Sequence, residues 1–305
     1  MRRFFFNPNS SVLSSDSINY SNTTHSTGNE GLMTLSQQPL GSILTLTEDI
    51  YHHWCRVLRA KVGEQSLIFD GLGGQSIVEL ESIDKKSAQV RIVAHDTDDN
   101  TTAYYSAIAI VMSRGDRMDY AIQKATELGA TAIQLLTSQH GEVRLKANQV
   151  DKKLNHWQQV ALSACEQCGL NRPPLVMSPV SIEQCIQQQG GEPHSDVSYL
   201  ANDTYYQQYF NQPTLPLVLA VPSQQEKQQL DINASIKRHF AQALQTPSKP
   251  RFDILIGAEG GLSESEYSQA RDSDYLPWQL GNRVLRTETA PVVALATLMY
   301  ISENF

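Results

Sequence analysis

The rhythm of hydrophobic and polar positions changes near residue 104 of this 305-residue chain. Before it, from about Ser42 to Val93, apolar residues come in short runs with rough alternation. These are "SLIFDG", "GQSIVELESI" and "SAQVRIVA", parted by the turn sequences "DGLGG" and "DKK". Period-two alternation marks half-buried strands, and several short strands close most naturally into a small barrel. After residue 104, buried strands alternate with amphipathic helices. "YYSAIAIVMS" reads as a strand, and "DRMDYAIQKATELG" as a helix with Met118, Ala121, Ile122, Ala125 and Leu128 on one face, ended by Gly129. "TAIQLLTS" is the next strand, and "KKLNHWQQVALSACEQCG" a helix turning Leu154, Trp157, Val160, Ala161 and Ala164 inward. Strands are expected again at "SYLAND", "LPLVLAV", "RFDILIG" and "WQLGNRVL". Strands alternating with helices imply an α/β domain around a largely parallel sheet.

The length allows two domains with real cores, and 40% hydrophobic with 18% charged residues is an ordinary globular balance. The expected division is a β-barrel over 1–100 and an α/β domain over 104–305, with the acidic "HDTDDNTT" (95–102) as linker. Residues 7–31 hold seven Ser, five Asn and three Thr. Such a segment buries too little to offset its ordering entropy, so a flexible insertion without function is expected, reaching to about residue 40. "MRRFFF" opens like an export signal but its apolar part stops at Asn7, and no run is long enough to span a membrane. Four cysteines without a disulfide framework fit a reducing compartment. The expectation is a soluble cytoplasmic protein.

A net charge of −8 removes any global electrostatic case for a nucleic-acid partner, so distribution matters more than sum. "HHWCRVLRAK" (52–61) carries three fixed positive charges, two histidines and no acid. Taken alone, such a stretch is more often a solvated face.

Two motifs carry chemistry. In "RFDILIGAEGGLSESEY" a strand runs into Gly257, a three-glycine loop follows, and Ser263 with Glu266 three residues on forms a capping box. Glycines between strand and helix let a ligand approach the backbone. No Gly-Lys-Ser/Thr follows, and the glycines miss the dinucleotide spacing, so neither standard nucleotide loop is present. In "GNRVLRTETAPVVALATL" two arginines, two threonines and a glutamate crowd the start of an apolar helix. Thr289 and Pro291 suit the helix start, which leaves Arg286 and Glu288 without a structural reason. Buried polar groups are tolerated when paired or completed by a ligand. "CEQC" lacks a second pair, so no metal site is expected, and no Gly-x-Ser-x-Gly elbow offers an acyl-transfer nucleophile.

In this order, "MSRGDRMDYAIQKATELGA", "ACEQCGLNRPP", "ILIGAEGGLS" and "LGNRVLRTETA" resemble the RsmE family, the small-subunit rRNA uridine-N3 methyltransferases of the SPOUT class. The resemblance covers Arg3–Phe5 and then Leu44 to the C-terminus. It implies a C-terminal trefoil-knotted α/β domain binding S-adenosylmethionine, an N-terminal PUA-like β-barrel, and a homodimer without metal. Chains as a rule avoid threading, so the knot is implied by the resemblance alone. The implied substrate is one uridine in the decoding region of 16S rRNA on the assembled small subunit. Another RNA base, a ribose hydroxyl, or a non-catalytic RNA-binding module are the alternatives. Position by position, the implied donor pocket comprises Leu200, Ala201, Gly257, Ala258, Glu259, Gly260, Gly261, Leu280, Gly281, Val284, Leu285, Arg286, Thr287, Thr289 and Ala290. The implied RNA contacts are Arg3, His53, Arg56, Arg59, Arg114, Lys124, Asn171 and Arg172, with Glu127 beside Lys124. Where the family commonly has proline, this chain has Ala258.

The resemblance also suggests roles. Methylation at N3 needs lone-pair density on a weakly acidic imide nitrogen, and a fixed positive charge beside the imide oxygens stabilises the deprotonated base. Arg286 suits that part because it stays charged. Glu288 is expected to orient Arg286 in preference to taking the proton.

Overall fold

A computed structural model describes residues 1–7, 34–187, 190–219, 232–243, 245 and 248–303. They form two compact units, Met1–Asn100 and Thr101–Phe305.

The first unit is a five-stranded sheet of β1 (Arg2–Phe5), β2 (Ile43–Thr45), β3 (Gln65–Phe69), β4 (Gln75–Ile83) and β5 (Ala88–Asp96). Its order is β1-β3-β4-β5-β2, antiparallel apart from the β1–β3 pair. β1 takes up the apolar "RFF" of the N-terminus, with Phe4 buried against Trp54. A helical segment, α1 (Glu48–Ile50), continues as a π-helical turn over Tyr51–Val57 and adds Ile50, Tyr51 and Trp54 to the core.

Two expectations need correction in this unit. Residues 8–33 of the expected insertion lie outside the described residues, but 34–40 is not loose chain. Leu35 is buried and donates its N–H to the buried Asp70 carboxylate at 2.7 Å. The linker also starts later than residue 95: His95 belongs to β5 and bridges Ser76 Oγ and the Gln38 carbonyl, each at 2.9 Å. The hydrophilic look of these residues misleads because their polarity is consumed inside the unit.

The second unit is a six-stranded, wholly parallel sheet of β6 (Tyr105–Val111), β7 (Ala132–Thr137), β8 (Leu175–Ser181), β9 (Thr214–Leu219), β10 (Arg251–Ile256) and β11 (Leu276–Trp278). Its order, β11-β9-β10-β6-β7-β8, puts β6 and β10 at the centre. β6 is buried along its whole length and β10 from Ile254 to Ile256, as strands covered on two faces are. The helices are α2 (Asp116–Glu127), α3 (Ala147–Cys168), α4 (Ile182–Ile186), α5 (Thr204–Asn211), α6 (Ile232–Ala243), α7 (Glu264–Asp272) and α8 (Ala290–Glu303). One core cluster unites Ile108, Met118, Ile122, Trp157, Phe252 and Leu295; the other sheet face packs Val111, Leu136, Leu255 and Ala270.

α2 matches its expected face, and Gly129 follows it at φ 78°. α3 starts at Ala147, five residues before the expected Lys152, and ends at Gly169 with φ 90°. "SYLAND" is not a strand: Ser195–Asn202 is a 3-10 helix with Val197 and Leu200 fully buried. "WQLGNRVL" is a strand only as far as Trp278, because Gly281, at φ 85°, turns the chain out of the sheet.

His239 on α6 sets a pH dependence. Burial, partly offset by its hydrogen bond to the Arg251 carbonyl at 3.0 Å, lowers its pKa from the usual 6.5. The unfolded chain therefore takes the proton first, so this contribution to stability is present above pH 6.5 and lost as pH falls below it. Thermal unfolding at pH 7.5 and 5.5 is expected to show a larger drop for the parent than for His239→Gln.

Candidate functional site

In parallel sheets ligands bind beyond the carboxyl ends of the strands, where loops replace the ladder. Here β10 ends at Ile256 and feeds a turn closed by the Gly261 N–H on the Ala258 carbonyl at 2.8 Å. Gly261 has φ 74°, a conformation side chains disfavour. Gly257 is confined differently: a Cβ there would lie 3.0 Å from the backbone of both Gly261 and Leu262. Beyond the turn the capping box forms as expected. Ser263 Oγ accepts the Glu266 N–H at 3.2 Å, and Glu266 Oε2 accepts the Ser263 N–H at 2.8 Å. The other Glu266 oxygen accepts the Gln139 N–H at 2.9 Å, tying the β10–α7 loop to the loop after β7. Arg117, in the first turn of α2, forms an ion pair with Glu259 in the glycine turn.

The 279–289 loop meets this turn from the other side. Thr287 is buried, its Oγ1 donating to the Gly257 carbonyl at 3.5 Å. The Arg286 carbonyl accepts from the Thr289 and Ala290 N–H groups at 2.9 and 3.0 Å, and α8 begins directly after. Leu280 and Leu285 pack against the main core, whereas Val284 is 67% exposed. Glu288 is half-buried, and its Oε2 is shut off from solvent without a hydrogen-bond partner among the described residues. An unpaired buried carboxylate oxygen costs about 1–3 kcal/mol. A buried polar atom left open in this way is available to an ion, a water or a ligand.

Arg286 is exposed, and among the described residues no ion pair reaches its guanidinium. The expected orientation of Arg286 by Glu288 is therefore not present. The two side chains flank the same turn but leave each other free for another partner.

Leu200 and Ala201 are not brought here. Ala201 lines a cavity of about 700 Å³ with Ala132, Thr214 and Arg251, which begin or precede their strands at the opposite end of the sheet. The residue that does reach the site is Leu219, last of β9, whose register aligns it with Trp278, while Val218 faces Leu255. The apolar run "LPLVLAV" signals that strand, but which of two apolar runs neighbours β10 is a matter of pairing.

The expected RNA contacts divide. His53, Arg56 and Arg59 are exposed on the first unit beside Val57 and Val62, which are 58% and 60% exposed. Arg56 donates to the Lys85 carbonyl at 2.5 Å, and Arg59 holds a left-handed backbone at φ 57°, uncommon outside glycine. Arg3 is instead absorbed by its sheet, over the Phe69 ring at 3.9 Å and bonded to Gln75. On the second unit, Arg114 is open to solvent and 3.3 Å from Glu142, and Lys124 is held by Glu127 at 2.8 Å. Asn171 and Arg172 face inward. Asn171 is 1% exposed, and Arg172 pairs with Asp203 at 2.6 Å and lies over Tyr205. A short "LNRPP" loop after a helix looks solvent-facing in sequence, but the Arg172–Asp203 pair anchors it.

Cys165 is buried, and burial pushes the Cys185 thiol up to about 12. Among the described residues no His, Cys, Asp and Glu group could hold a metal ion, and no helix is long and apolar enough to cross a membrane.

Comparison with known proteins agrees with this geometry. Residues 100–299 match the family described as RNA methyltransferase domain, and 46–93 the one described as RNA methyltransferase PUA domain. The ribosomal RNA small subunit methyltransferase E of Bacillus subtilis is 27% identical over 259 residues, covering 85% of this chain and 90% of that protein. A Legionella pneumophila methyltransferase solved with bound cofactor SAM superposes with TM-score 0.69 at 28% identity, covering 86% of this chain and 93% of that one. The ribosomal RNA small subunit methyltransferase E of Neisseria gonorrhoeae, bound to S-adenosyl methionine, gives TM-score 0.69 at 26% identity, covering 99% and 98%. With its parallel-sheet unit matched along nearly its whole length, this chain belongs to the RNA methyltransferase family, the SPOUT-class RsmE family that its motifs resemble.

Proposed function

We propose that this protein transfers the methyl group of S-adenosylmethionine to N3 of one uridine in the decoding region of 16S rRNA, on the assembled small subunit. The observation that carries the reading is the buried Glu288 oxygen, without a hydrogen-bond partner among the described residues, beside a glycine turn at the carboxyl end of β10. The residues fit the donor: the turn has no room for side chains at Gly257, and Glu288 offers an acceptor to a ligand N–H. The related enzymes of Bacillus and Neisseria are named for small-subunit rRNA, and the Neisseria structure holds S-adenosyl methionine.

When bound, S-adenosylmethionine supplies an electrophilic methyl group on a sulfonium. The glycine turn and Thr287 hold the site open and shaped, which contributes through alignment of the reacting atoms. Arg286, exposed and without an ion pair among the described residues, stabilises the negative charge that grows on the uracil oxygens. Glu288 takes the N3 proton as the N3–carbon bond forms and the sulfur–carbon bond breaks. A base inside an rRNA stem has to be turned out to reach this loop. We assign the exposed His53, Arg56 and Arg59 to the rRNA backbone, and a homodimer to the outer faces of α2 and α8, where Tyr120 and Tyr300 are 45% and 68% exposed. The place of action is then that of the substrate, the cytoplasm.

Nucleoside mass spectrometry of 16S rRNA from strains with and without the gene tests the reading. 3-Methyluridine is expected to disappear with the gene; loss of a ribose methyl or of another base modification would overturn the assignment. Replacing Arg56 and Arg59 together by alanine is expected to weaken small-subunit binding. It should also flatten the log–log salt slope by about 2, roughly one for each phosphate no longer neutralised, at unchanged donor affinity. An unchanged slope returns that surface to an ordinary solvated face.

A further inference from the structure

The loop after β7 carries a residue that neither the motifs nor the resemblance singled out. His140 lies against the glycine turn: a Cβ built on Gly260 would be 3.6 Å from His140 Cβ and 3.8 Å from its ring atoms Cγ and Nδ1. Among the described residues neither ring nitrogen has a hydrogen-bond or ion-pair partner, and the residue is exposed. The loop that presents it is built with care. Gln139 is fastened to Glu266 of the capping box at 2.9 Å, and Gly141 closes a turn onto the Ser138 carbonyl at 3.2 Å. Ser138 Oγ is buried there without a hydrogen-bond partner among the described residues, a second open polar atom on the same lip. Arg144, four residues on, is also exposed. The backbone on both sides of His140 is tied down, while its ring stands exposed against a bare glycine with no partner among the described residues.

Resting on the methyltransferase reading above, we infer that His140 is the platform for the target nucleotide, its imidazole stacking on the base turned out toward the donor turn. Single unstacked bases are commonly held on aromatic faces, and stacking tolerates any ring with a π-face. Gly260 lies in ordinary van der Waals range of the ring, so the turn and the platform share one lip.

The test uses full-length protein and small ribosomal subunits lacking the modification. His140→Ala is expected to lower kcat/KM for subunits roughly tenfold or more, with donor affinity by calorimetry and thermal unfolding unchanged. His140→Phe, which keeps a ring and loses both nitrogens, is expected to retain most of the rate, and His140→Gln to behave like alanine. If His140→Gln retains the rate and His140→Phe does not, the imidazole acts by hydrogen bonding and the platform assignment fails. It also fails if His140→Ala methylates at the parent rate. A parent protein that methylates no small subunit sinks the functional reading itself, so the two failures are separable.

Discussion

Arg286→Ala is expected to slow single-turnover methylation about a hundredfold, while the protein keeps its melting temperature and its affinity for donor and subunits. Truncation leaves the local fold intact because what Arg286 gives the fold is its main chain. Its carbonyl accepts the Thr289 and Ala290 N–H groups that start α8, and alanine preserves both bonds. The side chain is exposed and reaches no carboxylate among the described residues, so no buried partner is orphaned by its removal. What disappears is a fixed positive charge beside an anion that exists only as the base is deprotonated. Such a group is commonly worth on the order of 3 kcal/mol, because it binds the transition state better than the resting substrate. Arg286→Lys keeps the charge but not the planar fork, so an intermediate rate is expected. A stable variant that binds both substrates and reacts at the parent rate would remove Arg286 from the chemistry.

Gly257→Val is expected to abolish S-adenosylmethionine binding and to cost some stability as well. A Cβ at this position meets two backbone atoms at 3.0 Å, Gly261 C and Leu262 N, and neither can swing aside like the end of a flexible side chain. The turn has to open, which breaks the Gly261 to Ala258 bond and shifts the carbonyl that Thr287 binds. Both walls of the proposed donor site then move together. Gly260→Val is a gentler comparison, since its Cβ would find ordinary van der Waals contact with His140. Calorimetry and thermal unfolding on the two variants separate a deformed site from a destabilised fold. Retained donor affinity in a folded Gly257→Val protein would exclude this turn from the site.

The parts of the site that are legible in the sequence are local ones. The capping box at Ser263 and Glu266, the glycine turn, and the crowding of Arg286, Thr287 and Glu288 against α8 are each contained within a dozen residues. Their geometry follows from backbone rules that act over one turn of chain. Misreadings arise where a residue's partner is far away in sequence. Asn171 and Arg172 are implied RNA contacts, yet Asn171 is buried and Arg172 pairs with Asp203, and Leu35 in a hydrophilic stretch is claimed by Asp70. "SYLAND" and "LPLVLAV" are both apolar enough for a strand, and only one lies beside β10.

The alternation of strands and helices, the division near residue 100 and the form of the glycine turn were determined by the sequence itself. Each depends on the period of apolar residues or on the conformational freedom of glycine, and both are properties of neighbours in the chain. Tertiary structure decided the rest. The strand order set β9 beside β10, which brought Leu219 to the carboxyl end of the sheet and left Ala201 at the other end. One oxygen of Glu288 was closed off from water with no hydrogen-bond partner among the described residues, and the β7 loop set His140 against Gly260. A parallel strand order satisfies the same backbone hydrogen bonds in many permutations, so which residues share an end of the sheet is settled only by how the whole core fills.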